Sequence, residues 1–205
     1  MTIDTAVSRR ELLKCLGVAG AAALALPAFD RVLAFQREVL KPGVPAGVLT
    51  SAEAATLAAI CARIIPTDDS GPGAAEAHAA EYIDRALGGW LSPSRDAYTA
   101  GLAAVDTAAR AAGNQRFIHL TPAQQDAVLT TLEQTAFFAL VRAHTIQGMF
   151  SDPVYGGNAN FVGWDLIGYP GVRLNVTPAD QRMGTSAKPV RRSAYDYAMF
   201  AAGAH

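Results

Sequence analysis

The chain has 205 residues, 17 basic against 18 acidic side chains, a formal net charge of −1 and 51% hydrophobic residues. That balance argues against nucleic acid or anionic lipid as a partner, since both demand a basic surface that displaces counterions. The two cysteines, Cys15 and Cys61, cannot make a disulfide scaffold, so the fold is expected to hold by packing.

Ser8-Arg9-Arg10-Glu11-Leu12-Leu13-Lys14 has the order of a twin-arginine export signal, with Leu12 where Phe is commoner; its signal residues are Arg9, Arg10, Leu12 and Lys14. Leu16 to Leu26 follows as an apolar run, short of the roughly 20 residues a membrane helix needs. Val32-Leu33-Ala34 offers small residues for peptidase cleavage, expected after Ala34. Lys14 spoils the small-residue context that lipid attachment at Cys15 would require. Setting aside residues 1–34 leaves 13 basic and 15 acidic side chains and a single cysteine, in a length suited to one domain. The twin-arginine route moves folded proteins, so the chain is expected either to bind a cofactor before export or to travel with a protein that does.

Pro42, Gly43, Pro45 and Gly47 break any regular element, and residues 35–49 read as an extended leader. Thr50 and Glu53 form a capping box, and Leu57, Ile60, Cys61 and Ile64 line one helix face that Pro66 stops. Cys61 is therefore expected in the core as a small hydrophobe. Pro66 to Gly73 reads as a compact turn whose Asp68 and Asp69 cap the next helix; the segment lacks the residue order of an EF-hand calcium loop. A second helix is expected over Glu76 to Leu87, with Tyr82, Ile83, Ala86 and Leu87 apolar and Gly88-Gly89 as its stop. Ser92-Pro93 opens a third, striped by Tyr98, Leu102, Val105 and Ala109 as far as Gly113. Thr121-Pro122-Ala123-Gln124 opens a fourth, predicted to run through Val128, Leu129, Leu132, Ala136, Phe137, Leu140 and Val141 toward Gly148 as the long central element. The fold class is thus all-α: a compact bundle of about four main helices with a long Gly- and aromatic-rich C-terminal loop region. The organisation expected is a signal over 1–34, a leader over 35–49, a helical domain over 50–175 and a tail over 176–205 packing on the domain or on a partner.

Gly-x-Gly-x-x-Gly, Cys-x-x-Cys-His, Gly-x-Ser-x-Gly and His-Glu-x-x-His do not occur, which removes the usual routes to a dinucleotide fold, covalent haem and common hydrolases. His144, Asp152 and Asp165 could converge as an acid–base or metal site. The stronger reading sets His144 against carbonyls in the last turn of its helix and makes Asp152 a turn former. His78 and Glu81 read as a solvated pair, and His119 as a linker residue.

From Gly148 to Gly171 six glycines alternate with Phe150, Tyr155, Phe161, Trp164 and Tyr169. This stretch, the Ile64-Ile65-Pro66-Thr67-Asp68-Asp69 turn with Pro72-Gly73-Ala74, and Tyr82-Ile83-Asp84 together resemble the gluconate 2-dehydrogenase subunit 3 family over roughly residues 50–175. Ser70-Gly71-Pro72 holds one residue more than the commonest spacing, in a turn able to absorb it.

The resemblance implies a non-catalytic small subunit of a periplasmic, membrane-associated dehydrogenase of sugars or sugar acids. Its partners would be a large flavin-binding subunit of the glucose-methanol-choline type, often a multihaem cytochrome c, and the twin-arginine translocase. It implies FAD in the large partner, haem c in the third subunit where one is present, and no cofactor, metal or catalytic residue in this chain. Ser151, Asp152, Tyr155, Asn158, Phe161, Trp164 and Tyr169 are candidate partner contacts, because interface anchors are rich in aromatics. The competing reading is that Phe161, Trp164 and Leu166 fasten the loop to the bundle. The alternative function is an independent periplasmic enzyme or ligand-binding protein with its site around His144 and the Asp152–Asn158 loop.

Overall fold

Helix α1 (Ser51–Ile64) begins where its capping box places it: Thr50 accepts the Glu53 N–H, and the Glu53 carboxylate accepts the Thr50 N–H at 2.9 Å. In the computed structural model, which describes residues 47–178, 180–182, 184 and 188–201, the chain continues as α2 (Ala79–Gly88), α3 (Arg95–Gly113), α4 (Pro122–Leu132), α5 (Ala136–Phe150), α6 (Val162–Leu166) and a final turn, α7 (Ala198–Ala201). The twin-arginine segment and the leader up to residue 46 lie outside the described residues. Among the described residues there is no strand, only an isolated bridge between Asp68 and Gly71. No helix among them is long and apolar enough to cross a membrane.

The apolar stripes meet in one core. Leu57, Ile60 and Cys61 of α1, Tyr82, Ile83 and Leu87 of α2, and Tyr98, Leu102 and Val105 of α3 are buried together with Val128, Leu129 and Val141. Each such large side chain contributes about 1.5–3 kcal/mol relative to exposure. Phe117, fully buried from a short turn between α3 and α4, is fixed by polar groups on either side of its peptide. Asp106 accepts its N–H at 3.1 Å, and the Gln125 amide donates to its carbonyl at 3.0 Å.

Three expectations are corrected. The long fourth helix is two, with Glu133 and Gln134 outside regular structure and Thr135 capping α5 by accepting the Phe138 N–H at 3.2 Å. Threonine hydroxyls compete for the backbone there: Thr131 donates to Val128 O and Thr135 to Leu132 O, both at 2.7 Å. The break turns Phe137 onto α3, where its ring meets Tyr98 edge-on at 5.6 Å. The second helix starts at Ala79 rather than Glu76, because Glu76 belongs to the preceding turn and accepts the Thr67 hydroxyl at 2.6 Å and the Gly73 N–H at 3.0 Å. Nor do Asp68 and Asp69 cap that helix. Its start at His78, with φ 56°, has no side-chain cap, and Asp68 accepts the Ser70 N–H inside its own turn.

Candidate functional site

The end of α5 explains the composition of the segment after it. A helix leaves its last carbonyls without internal partners, and burying them unpaired is costly. Here the chain turns back and supplies donors. Ser151 N–H meets Gln147 O at 2.8 Å, Asn158 N–H meets Gly148 O at 2.7 Å, and the Trp164 indole meets Phe150 O at 2.9 Å. Asn158 is the hub: fully buried, it also donates its amide to Ser151 O at 2.9 Å and accepts the Gly163 N–H at 2.8 Å. The approach is so close that a Cβ on Gly157 would meet Gly148 O, and one on Gly163 would meet Met149 O. Ala159 N–H to Ala77 O, at 3.1 Å, ties the segment to the turn before α2.

Its loop folds into short helical turns at Pro153–Tyr155 and Ala159–Phe161 and then α6. Asn158, Asn160 and Phe161 all have positive φ, of 45°, 54° and 62°. Asparagine takes that conformation readily, whereas for phenylalanine it costs about 1–2 kcal/mol. The Phe161 ring lies 5.3 Å from that of Trp164, which in turn meets Tyr169 at 4.9 Å.

Asp152 does more than form a turn. One carboxylate oxygen accepts the Val154 N–H at 3.0 Å and the Ser193 hydroxyl at 2.6 Å; the other accepts the Ala194 N–H at 2.8 Å. Asp165 pairs with Arg191 at 2.6 Å, Val190 N–H reaches Pro170 O at 2.7 Å, and the Tyr197 hydroxyl reaches Val172 O at 3.0 Å. Residues 188–197 are therefore a strap across the glycine- and aromatic-rich segment. Tyr195 lies against Tyr155, its phenol pushed up to about 12 by burial first and by Tyr155 second. Sequence reasoning left Arg191, Arg192, Tyr195 and Tyr197 without a place. The available signal was Ser193-Ala194-Tyr195-Asp196, a capping box that forms as such.

His144 is not in the last turn of its helix facing carbonyls. It sits well inside α5, 6% exposed, with Nδ1 2.9 Å from the Tyr98 hydroxyl, its ring stacked on Tyr98 at 5.9 Å and edge-on to Trp90 at 6.4 Å. Burial pushes the His144 pKa down and that of Tyr98 up, so the pair is neutral imidazole against neutral phenol. His144, Asp152 and Asp165 thus take separate partners: Tyr98, the strap residues Ser193 and Ala194, and Arg191. Among the described residues no three His, Cys, Asp or Glu side chains are grouped to hold a metal. His78, Glu81 and His119 are exposed. Cys61 is buried, accepts the Thr145 hydroxyl at 3.3 Å, and has its thiol pushed up to about 12 by burial.

Of the candidate contact residues, Asn158 and Trp164 bond to the end of α5, and Asp152 holds the strap. The Ser151 hydroxyl is buried without a hydrogen-bond partner among the described residues, Tyr155 and Phe161 are half-buried, and Tyr169 is exposed. Sequence reasoning also gave no role to Asp84, which accepts the Val48 and Leu49 N–H groups at 2.7 and 2.9 Å and fixes the end of the leader to α2.

A family model, gluconate 2-dehydrogenase subunit 3, matches residues 51–171, from the first residue of α1 to the glycine five residues past α6. The strap lies beyond that match. No curated protein and no solved structure matches the chain.

Proposed function

The chain belongs to the gluconate 2-dehydrogenase subunit 3 family, a subunit of a dehydrogenase complex, and from that premise we propose that it is the non-catalytic small subunit of a periplasmic FAD-dependent sugar or sugar-acid dehydrogenase. Its work is binding and export. The large subunit, of the glucose-methanol-choline type, takes up FAD in the cytoplasm and folds; the small subunit binds it and supplies Arg9 and Arg10 as the address in trans. Once exported, the large subunit oxidises a sugar hydroxyl and passes electrons to a cytochrome c subunit or a quinone. Substrate choice then belongs to the flavin subunit rather than to this chain.

One observation carries the reading: the family match over α1 to α6 sits on a chain whose residues 8–14 follow the order of a twin-arginine signal. The hydrogen-bonded polar groups of the domain agree with a binding role. Asn158, Asp152 and His144 are engaged in holding the fold, and the segment they organise carries Tyr155, Phe161 and Tyr169 as candidate contacts for the large subunit.

The test changes Arg9 and Arg10 to Lys in the native host and measures the large subunit in the periplasmic fraction by mass spectrometry. Both polypeptides should be retained in the cytoplasm. Normal arrival of the large subunit in the periplasm would refute the escort role.

A further inference from the structure

Among the described residues nine large apolar side chains are exposed, and five of them, Leu166, Ile167, Tyr169, Leu174 and Val176, fall within residues 166–176. Exposed apolar residues scattered singly are ordinary, but five within eleven consecutive residues single this stretch out as a candidate binding surface. Ile167 is 59% and Val176 56% exposed.

Their exposure is not for want of order. Tyr169 N–H bonds Trp164 O at 2.8 Å and Ile167 N–H bonds Gly163 O at 3.2 Å. From the other side the strap holds the same stretch, through Val190 to Pro170 and Tyr197 to Val172. Backbone polar groups are bonded within the fold while these apolar side chains face water. A surface held in this way has less conformational freedom to lose on binding.

Charge identifies the occupant. Residues 47–164 carry 6 basic and 11 acidic side chains, whereas residues 165–197 carry 5 basic and 3 acidic. Arg173 pairs with Asp180 at 3.4 Å and Arg191 with Asp165 at 2.6 Å, so the surplus of positive charge in this stretch rests on Arg182, Lys188 and Arg192 against Asp196 and leaves it net basic on an otherwise acidic domain. A second copy of the chain would set like-charged borders against each other in a twofold contact. The complementary surface is apolar with a carboxylate border.

We propose that residues 166–176, held by the strap 188–197, form the docking face for the large flavin-carrying subunit, through an apolar patch of that subunit bordered by carboxylates. The inference rests on the subunit reading above.

The experiment co-expresses the full-length chain with the large subunit and compares wild type, Ile167→Glu and, as a control elsewhere on α5, Ile146→Glu. Association is read by size exclusion at the flavin absorbance, and folding by circular dichroism and the urea midpoint. Ile167→Glu should weaken association by roughly tenfold or more, because a charge placed in a desolvated contact loses its water, while Ile146→Glu should associate as wild type does. Should Ile167→Glu lose helicity, Val176→Glu takes its place. A folded variant that associates as tightly as wild type overturns the docking face and leaves the subunit reading intact. So does a variant that abolishes self-association of the isolated chain yet leaves the complex whole. If the wild-type chain does not associate with the flavin subunit, the subunit reading falls, and this inference with it.

Discussion

Replacing Asp152 by Ala removes three hydrogen bonds at once: Val154 N–H at 3.0 Å, the Ser193 hydroxyl at 2.6 Å and Ala194 N–H at 2.8 Å. Losing the cap of the Pro153–Tyr155 turn costs about 1 kcal/mol. The two bonds to the strap, made to a carboxylate in a half-buried place, add about 1 kcal/mol each after competition from water. The Arg191–Asp165 pair cannot substitute, because Arg191 is 64% exposed and such pairs contribute about 0–1 kcal/mol. The Val154 bond is lost whether the strap is open or closed, so opening of residues 188–197 should become easier by the two strap bonds alone, about 2 kcal/mol or roughly thirtyfold. Amide hydrogen exchange on the full chain measures this, and Val190 is the informative reporter because its N–H bonds Pro170 O rather than Asp152. Its protection should fall, trypsin should cut after Arg191 and Arg192, and amides of α1 and α3 should keep their protection. If Val190 exchanges as slowly in Asp152→Ala as in wild type, Asp152 does not hold the strap. Loss of protection throughout the core would equally refute a local clamp.

Two further outcomes follow from the buried groups. The Cys61 thiol, pushed up to about 12, stays protonated near neutral pH, so in a Cys15→Ser chain an aromatic disulfide reagent should react only at the rate of global unfolding and become fast in denaturant; rapid labelling of that folded chain would contradict the burial of Cys61. His144 has its folded pKa lowered from 6.5 by burial, so below pH 6.5 the unfolded chain takes up a proton that the folded chain resists; urea midpoints should be highest above that pH and fall beneath it, less steeply in His144→Gln, and identical profiles would rule out the coupling.

What the sequence makes legible here is local. Thr50 with Glu53 and Thr121 with Gln124 announce their helices because a capping box closes within four residues, and both boxes form. The stripe Tyr98, Leu102, Val105 and Ala109 is buried for the same reason, since its period belongs to one helix. The break before α5 was hidden because the apolar pattern runs on through Leu132, Ala136 and Phe137 without glycine or proline. Only the hydroxyl of Thr135, three residues before Phe138, marks the cap. The pairing of Tyr98 with His144, 46 residues apart, and of Asp152 with Ser193, 41 apart, depends on how helices and strap come together. No periodicity encodes either pair.

The glycine- and aromatic-rich segment presented one composition with two meanings, internal fastening or contact with a partner, and internal fastening is seen in its first part. In its first part, to Trp164, the glycines allow backbone to lie on backbone and Asn158 and Trp164 supply donors to the end of α5; these residues are taken up by the fold. From the end of α6 onward the demand for donors is met, yet the apolar side chains continue outward, from Leu166 and Ile167 through Tyr169 to Leu174 and Val176. A chain that needed only to cap α5 could have returned to polar residues there. The strap, which lies beyond the family match, spends its own polar groups on Pro170, Val172, Asp165 and Asp152 and so stabilises the backbone beneath the exposed apolar side chains. A binding role for residues 166–176 accounts for both the apolar display and the strap that holds it.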